Sequence, residues 1–248
     1  LILCVDVGNT AVKIGLVSKG RVVRRAVMAS DAVERDVVRA CARVVQNARR
    51  LEAAALSSVR PDRTVLVARA VSRATGLYPI VVNHRTPMPI EIAVRRPARV
   101  GTDRLCAACG AVGERGRDAI VVDIGSAVTV NLVRDRVFLG GVIMPGPATS
   151  LAAMHEFTAQ LPRLDLESPT PGRFDDTESA MRWGALLSTA GGVRLAVAML
   201  EERSGRRPRR FLTGGHAGRI GRWLPPNWQR EPDLTLLGLS RIARYSTP

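Results

Sequence analysis

The sequence predicts an α/β fold built as two related halves, each around a mixed central sheet. Two observations predict it. The stretch LILCVDVGNTAVKIGLVSKGRVVRRAV at the start and AIVVDIGSAVTVNLVRDRVFLGGVIMPG from Ala119 share one pattern. Each runs an apolar strand into Asp-x-Gly, a small polar turn, a second strand and, after a Gly or an Asp-Arg, a third strand. Each set is then followed by helical periodicity and a further strand, which ends in Ser57-Ser58 in one half and Thr213-Gly214-Gly215 in the other. A repeat of about half the chain reads as a duplicated domain rather than a solenoid. The expected halves are residues 1–117 and 118–248.

Local signals place the elements in order. After the first three strands, residues 32–51 carry apolar positions at helical spacing behind Ser30-Asp31, a candidate N-cap. AAALSSV is a strand. PDRTVLVARAVSRATG is a helix with Pro61 at its start and Gly76 at its end. YPIVVN is a strand, and the proline-bearing stretch 85–99 is a loop. GTDRLCAACGAVGERG is a small-residue helix. The second strand set leads into a helix over 147–161 and a proline-rich loop over 161–176. A long helix from Thr177, interrupted at Gly191-Gly192, follows. RRFLTGG is a strand, HAGRIGRWL a short helix, and PDLTLLGLSRIARYS closes the chain with Gly238 in its middle.

Composition narrows the function classes. The chain has 248 residues, 46% of them apolar and 4% aromatic, enough for a substantial core. Its apolar runs fall short of the ~20 residues of a membrane span, and it opens on a strand pattern rather than a signal peptide, so a cytoplasmic, membrane-free protein is expected. The net charge is +15, carried almost wholly by arginine, with Lys13 and Lys19 the only lysines. The arginines are scattered and lack interleaved aromatics for stacking bases, which argues against nucleic acid as a partner. Cys106 and Cys109 form a CxxC without a second pair or a nearby His, so they read as buried thiols in a packed helix.

Three stretches carry possible chemistry. In DVGNT, Gly8 lets a ligand approach the main chain, and the turn amides with Asn9 and Thr10 suit phosphate oxygens. Asp6 is placed to hold a hydrated Mg2+, and Lys13 adds a positive charge. A plain tight hairpin explains one such copy as well, but two copies shift the balance toward a nucleotide clamp. In VGTDR, Asp103 and Arg104 suit a general base beside an anion clamp, although Thr102 or Asp103 as a helix cap is the simpler reading. In TGG, glycines after a strand let the backbone pass close to a flat ligand, or make an ordinary turn.

Taken together, DVGNTAVK, ALSSV, VGTDR, VVDIGSAVTVN, GGVIMPG, TAQLP, LTGGHA and PDLTLLGL resemble, in this order and to about residue 240, the type III pantothenate kinases. The resemblance implies ribonuclease-H-like halves of the actin-like ATPase kind with a nucleotide cleft between them. It implies ATP-dependent phosphorylation of pantothenate to 4′-phosphopantothenate, the first step of coenzyme A biosynthesis, by a phosphotransferase with an alcohol acceptor (EC 2.7.1.33). It implies ATP with Mg2+, a monovalent cation (K+ or NH4+) and a homodimer. By the same resemblance Asp6, Val7, Gly8, Asn9, Thr10, Ala11, Val12 and Lys13 form the ATP phosphate loop, with Asp6 near Mg2+ through water, and Ser126 contacts ATP. Gly101, Thr102, Asp103 and Arg104 bind pantothenate, with Asp103 as proton acceptor. Asp123 holds the monovalent cation, and Thr177 reaches the substrate across the dimer.

The chain departs from the family pattern at four places. Val94 occupies a substrate-loop position that is often Tyr, Ser126 stands for Thr, Leu237 replaces the acid of LEGL, and His216 stands where Asp is common. Two alternatives stay open at this level. One is a catalytically weak or inactive relative acting as a nucleotide-binding regulatory or transcription-accessory protein. The other is a different small-molecule kinase or ATPase on the same fold.

Overall fold

The computed structural model describes residues 1–48, 50–113, 116, 118–167 and 173–246. Arg49, Arg117, the 114–115 end of the expected small-residue helix and the middle of the expected 161–176 loop lie outside the described residues. The elements are β1 (Ile2–Val7), β2 (Ala11–Ser18), β3 (Arg21–Ala29), α1 (Glu34–Val45), β4 (Ala53–Ser58), α2 (Pro61–Thr75), β5 (Ile80–Val81), β6 (Glu91–Ile92), α3 (Thr102–Val112), β7 (Ala119–Ile124), β8 (Ala127–Arg134), β9 (Val137–Pro145), α4 (Pro147–Glu156), α5 (Thr177–Ser204), β10 (Arg209–Thr213), α6 (Ala217–Ile220), β11 (Gln229–Arg230) and α7 (Leu234–Ser246).

One sheet has the order β3-β2-β1-β4-β5, the other β11-β10-β7-β8-β9-β6. Apart from β6, the second repeats the first: third, second and first strand, then the fourth and fifth. The β1–β2 and β2–β3 pairs are antiparallel, while β1–β4 and β4–β5 are parallel, so the sheet is mixed. The repeat extends to the turns. Lys19 and Gly20 connect β2 to β3 with positive φ at both residues, and Asp135 and Arg136 do the same between β8 and β9. That two-residue geometry matches the right-handed twist of the flanking strands. The Asp-x-Gly turns differ by one residue. Gly8 N–H donates to Ala11 O at 2.9 Å, whereas Gly125 N–H donates to Ala127 O at 3.1 Å.

By compactness the chain divides into one unit of Leu1–Ala119, Val133–Gly140 and Asp233–Pro248, and another of Ile120–Leu132 and Gly141–Pro232. These are not contiguous halves, and the 1–117 and 118–248 repeat remains a proposal about duplication. The last helix belongs to the first unit for a steric reason. A Cβ on Gly238 of α7 would collide with Cys106 O of α3, and one on Gly110 would collide with Leu234 O. The two helices meet backbone to backbone, which only glycine permits.

In the first unit, Leu3, Val5, Val7, Val12, Ile14 and Leu16 pack with Val37, Cys41, Val67 and Val71 of α1 and α2. In the second, Leu151 of α4 packs with Met181 and Ala185 of α5, and Trp183 stands 6.0 Å from Trp223 between ring centroids. Asp176 caps α5 by accepting from Ser179 N–H at 2.7 Å.

Several expectations are corrected. Helix α1 starts at Glu34 behind Val33 rather than at Ser30-Asp31, because the Ser30 hydroxyl donates to Gly8 O at 2.6 Å. Helix α5 runs unbroken through Gly191 and Gly192. Glycine costs about 1 kcal/mol against alanine in a helix, which 28 residues with a packed face absorb, and Gly192 makes room for the Met144 side chain. Helix α4 ends at Glu156, short of 161. The YPIVVN strand shrinks to two residues, and the expected 85–99 loop contributes β6, whose flanks donate to Arg136 O and Phe138 O. Finally, α5 is long and apolar enough to cross a membrane by length and composition, contrary to the estimate from apolar runs, although 44% of its most apolar window is buried inside the protein.

Candidate active site

Strand register brings together the candidate residues of the first unit. Asp6 sits opposite Lys13 on one side and Ser57 on the other. Neighbouring strands lie about 4.8 Å apart, so Lys13, Asp6 and Ser57 form one row across β2, β1 and β4. Asp6 is 6% exposed, while Asn9 and Thr10 at the turn are exposed. The chain therefore presents a buried carboxylate behind an open, glycine-bearing hairpin, with a lysine beside the carboxylate. Val7 and Val12 are core residues at the ends of this hairpin, and Ala11 supplies the carbonyl that closes it.

The row continues into α3. The Ser57 hydroxyl lies 3.0 Å from the Thr102 hydroxyl, and Ser58 N–H donates to the same Thr102 oxygen at 3.1 Å. Asp103 follows in the first turn of α3. Its Oδ1 accepts from Arg104 N–H at 2.8 Å and rests on the bare Cα of Gly101, where a Cβ would strike it. Burial raises the Asp103 carboxyl above the usual range, opposed by the Arg104 amide and by the charges of Arg104 and Lys13. The Lys13 charge, on the β2 side of the hairpin, thus acts in the same direction as Arg104 on the Asp103 carboxyl. Burial lowers the Arg104 guanidinium, and its carbon lies 5.6 Å above the Phe138 ring. Cys106, one turn further on, is fully buried, and its thiol is pushed well up by burial, then by the neighbouring Cys109 thiol and the Asp6 and Asp103 carboxylates. Val94 is half-buried, and its Cγ1 lies against Gly140.

In the second unit, Asp123 occupies the same next-to-last strand position as Asp6. Gly214, at φ +100°, passes so close to the Asp123 carboxylate and the Ile124 backbone that a Cβ would collide with both. The TGG turn thus closes on β7. His216 N–H completes that contact by donating to Ile124 O at 2.9 Å, and burial together with the Arg219 charge lowers its imidazole. The Ser126 carbonyl accepts from Gly146 N–H at 2.9 Å and from the Thr149 hydroxyl at 2.6 Å, which ties the second hairpin to the start of α4. Thr177 is the first residue of α5, behind the Asp176 cap.

Asp6, Lys13, Gly101, Thr102, Asp103, Arg104 and Val94 therefore belong to the first unit, and Asp123, Ser126 and Thr177 to the second. Sequence reading took Ser30 only as a candidate helix cap and Ser57-Ser58 only as a strand end, and it did not single out Thr149. Among the described residues, no group of three or more His, Cys, Asp or Glu is arranged to hold a metal. One buried carboxylate, Asp6, behind a glycine-bearing hairpin fits Mg2+, which takes one or two carboxylates and draws its other ligands from phosphate and water.

A family model for type III pantothenate kinase matches residues 2–198. The type III pantothenate kinase of Desulfovibrio desulfuricans is 35% identical, over 97% of this chain and 95% of its own. Among solved structures, a putative Baf family transcriptional activator from Campylobacter jejuni aligns with a TM-score of 0.59 at 18% identity, covering 97% of this chain and 96% of its own. A ROK family glucokinase from Streptomyces griseus aligns with a TM-score of 0.56 at 15% identity, covering 98% and 99%. These structures share the chain's fold, an α/β arrangement with two mixed sheets. From the sequence matches, the chain belongs to the type III pantothenate kinase family, the ATP-using kinases of EC 2.7.1.33 that act in coenzyme A biosynthesis.

Proposed function

We propose that this chain transfers the γ-phosphoryl group of ATP to the primary hydroxyl of pantothenate, with Asp103 as the proton acceptor. The observation that carries this reading is the state of Asp103. Its carboxylate is pinned through Oδ1 by the Arg104 amide, and burial raises its proton affinity against the opposing pull of that amide and of the Arg104 and Lys13 charges. With Oδ1 engaged, the other carboxylate oxygen takes the hydroxyl proton. A base is most effective when its pKa approaches the working pH. Phosphoryl transfer otherwise asks for positioning and charge neutralisation. In this reading the Asp6–Lys13 hairpin cradles the ATP phosphates, Gly101 and Arg104 engage pantothenate with Arg104 on its carboxylate, and Ser126 contacts ATP. A Mg2+ ion near Asp6 would neutralise phosphate charge. Asp123, where the Gly214 turn closes on the end of β7, would hold K+ or NH4+. Val94 in place of an aromatic hydroxyl leaves the substrate loop an apolar contact.

The homodimer and the cytoplasmic location belong to the same proposal. Gly184, Leu187, Ser188, Gly191, Leu195 and Met199 recur on one exposed face of α5. Leu187, Leu195 and Met199 are 50%, 65% and 58% exposed. Large apolar side chains interleaved with small residues suit a facing helix, and Thr177 begins that helix.

The test is purified protein with ATP, Mg2+ and K+, offered pantothenate and a panel of other alcohols. Phosphorylation of pantothenate that disappears in Asp103→Asn supports the reading, and turnover of another alcohol alone overturns it. A second reading, a nucleotide-binding regulatory protein, draws on one observation. Arg206, Arg207, Arg209 and Arg210 line a surface pocket with Asn227 and Glu201. Nucleotide or DNA binding without any turnover would favour it.

A further inference from the structure

We infer that Thr102 is a positioning residue, locked to the end of β4 by Ser57 and Ser58, and that its hydroxyl makes no bond to substrate. The inference rests on Asp103 being the base.

Three polar atoms surround the Thr102 hydroxyl oxygen: Ser57 Oγ at 3.0 Å, Ser58 N at 3.1 Å and Ser58 O at 3.1 Å. A threonine hydroxyl has one proton to give and two lone pairs to receive with. One assignment satisfies all three contacts. Ser58 N–H donates to Thr102, the Ser57 hydroxyl donates to Thr102, and Thr102 donates to the carbonyl of Ser58. The hydroxyl is then saturated by the protein. Ser57 has no exposed surface at all, so water does not compete for it.

The consequence is geometric. Ser57 is the register partner of Asp6, and Thr102 is the residue before Asp103. The lock therefore joins β4, which pairs with the strand carrying Asp6, to the first turn of the helix that carries the base. The N-cap position of α3 is Gly101, which has no side chain to cap the helix. The helix start is held instead by a side chain of its own first residue reaching sideways into the sheet. The Thr102 hydroxyl thus sets where Asp103 stands relative to Asp6 and Lys13. Misplacement of a reacting group by about 1 Å can cost on the order of a hundredfold in rate.

The experiment compares Thr102→Val, Thr102→Ser and Ser57→Ala in steady-state kinetics of the intact chain, with thermal unfolding recorded alongside. Thr102→Val keeps the shape and removes the hydroxyl. The expected result is a kcat lowered about tenfold or more, with KM for pantothenate within about twofold of the parent. Thr102→Ser restores kcat, and Ser57→Ala lowers kcat with the same unchanged KM. The losses of Thr102→Val and Ser57→Ala fail to multiply in the double variant, because both break one lock. A raised KM with kcat retained in Thr102→Val would show a substrate contact and overturn the inference. Unchanged kinetics in Ser57→Ala would also overturn it, and that variant serves if Thr102→Val does not fold. Full activity in Asp103→Asn would instead remove the base assignment, an outcome separate from both.

Discussion

Gly238 of α7 rests on the carbonyl oxygen of Cys106 in α3, so close that even a methyl group has no room between them. The obstacle is backbone, which does not swing aside. Gly238→Ala is therefore expected to destabilise the protein by roughly 1–3 kcal/mol or more. Urea unfolding of the variant checks this, and an unchanged midpoint would mean that the two helices are further apart than described.

Asp103, the proposed base, links activity to stability. Loss of a general base lowers kcat by roughly 10²–10⁴-fold, which is the expectation for Asp103→Asn. Burial raises the Asp103 pKa in the folded chain. The folded protein then binds a proton more readily than the unfolded chain, so stability falls as pH rises from the unfolded to the folded pKa. At neutral pH the Asp103→Asn variant, uncharged at this position, should unfold at a higher temperature than the parent, and the difference should vanish below the unfolded pKa. The acid limb of kcat/KM should lie above the ordinary carboxylate range.

Asp123 is assigned a monovalent cation. Replacing K+ by Na+ in the assay should abolish most activity, and Asp123→Asn should lose its response to added K+. Activity indifferent to the cation would remove that role.

All four cysteines are buried. Burial pushes the Cys109 thiol up to about 12 and Cys41 to about 12. Since the thiolate is the reactive form, a disulfide-based thiol reagent should modify none of them in the folded protein and all four after denaturation. Rapid modification of Cys106 or Cys109 in the native state would revive a redox role for the CxxC.

The α5 face offers a direct test of assembly. Leu195→Glu places a charge in the middle of the exposed apolar stripe. Sedimentation should show a dimer for the parent and a monomer for the variant, with the monomer folded, because Leu195 is 65% exposed. A parent that sediments as a monomer would dismiss α5 as an interface.

Much of this was written in local signals. The alternation and turn residues from Leu1 to Ala29, and again from Ala119, announced two three-stranded units, since strand period and turn chemistry are properties of a few neighbouring residues. Asp6, Gly8, Asp123 and the Asp103-Arg104 pair stood out for the same reason. The N-cap placed at Ser30 failed because its hydroxyl had a partner 22 positions away, at Gly8 O. The helix break placed at Gly191 failed because propensity is a small cost beside a packed helical face.

What the sequence alone determined was the repeated strand–turn–strand pattern, the residue types at its turns and the family. Only tertiary structure decided which strand lay beside which, and so that Ser57 meets Asp6 in one row and Thr102 at its side chain. It also decided that α7 completes the first unit and that β6 joins the edge of β9. The reason is physical: hydrophobic periodicity is set within a few residues, but register and backbone contact depend on groups that meet only once the chain has closed on itself.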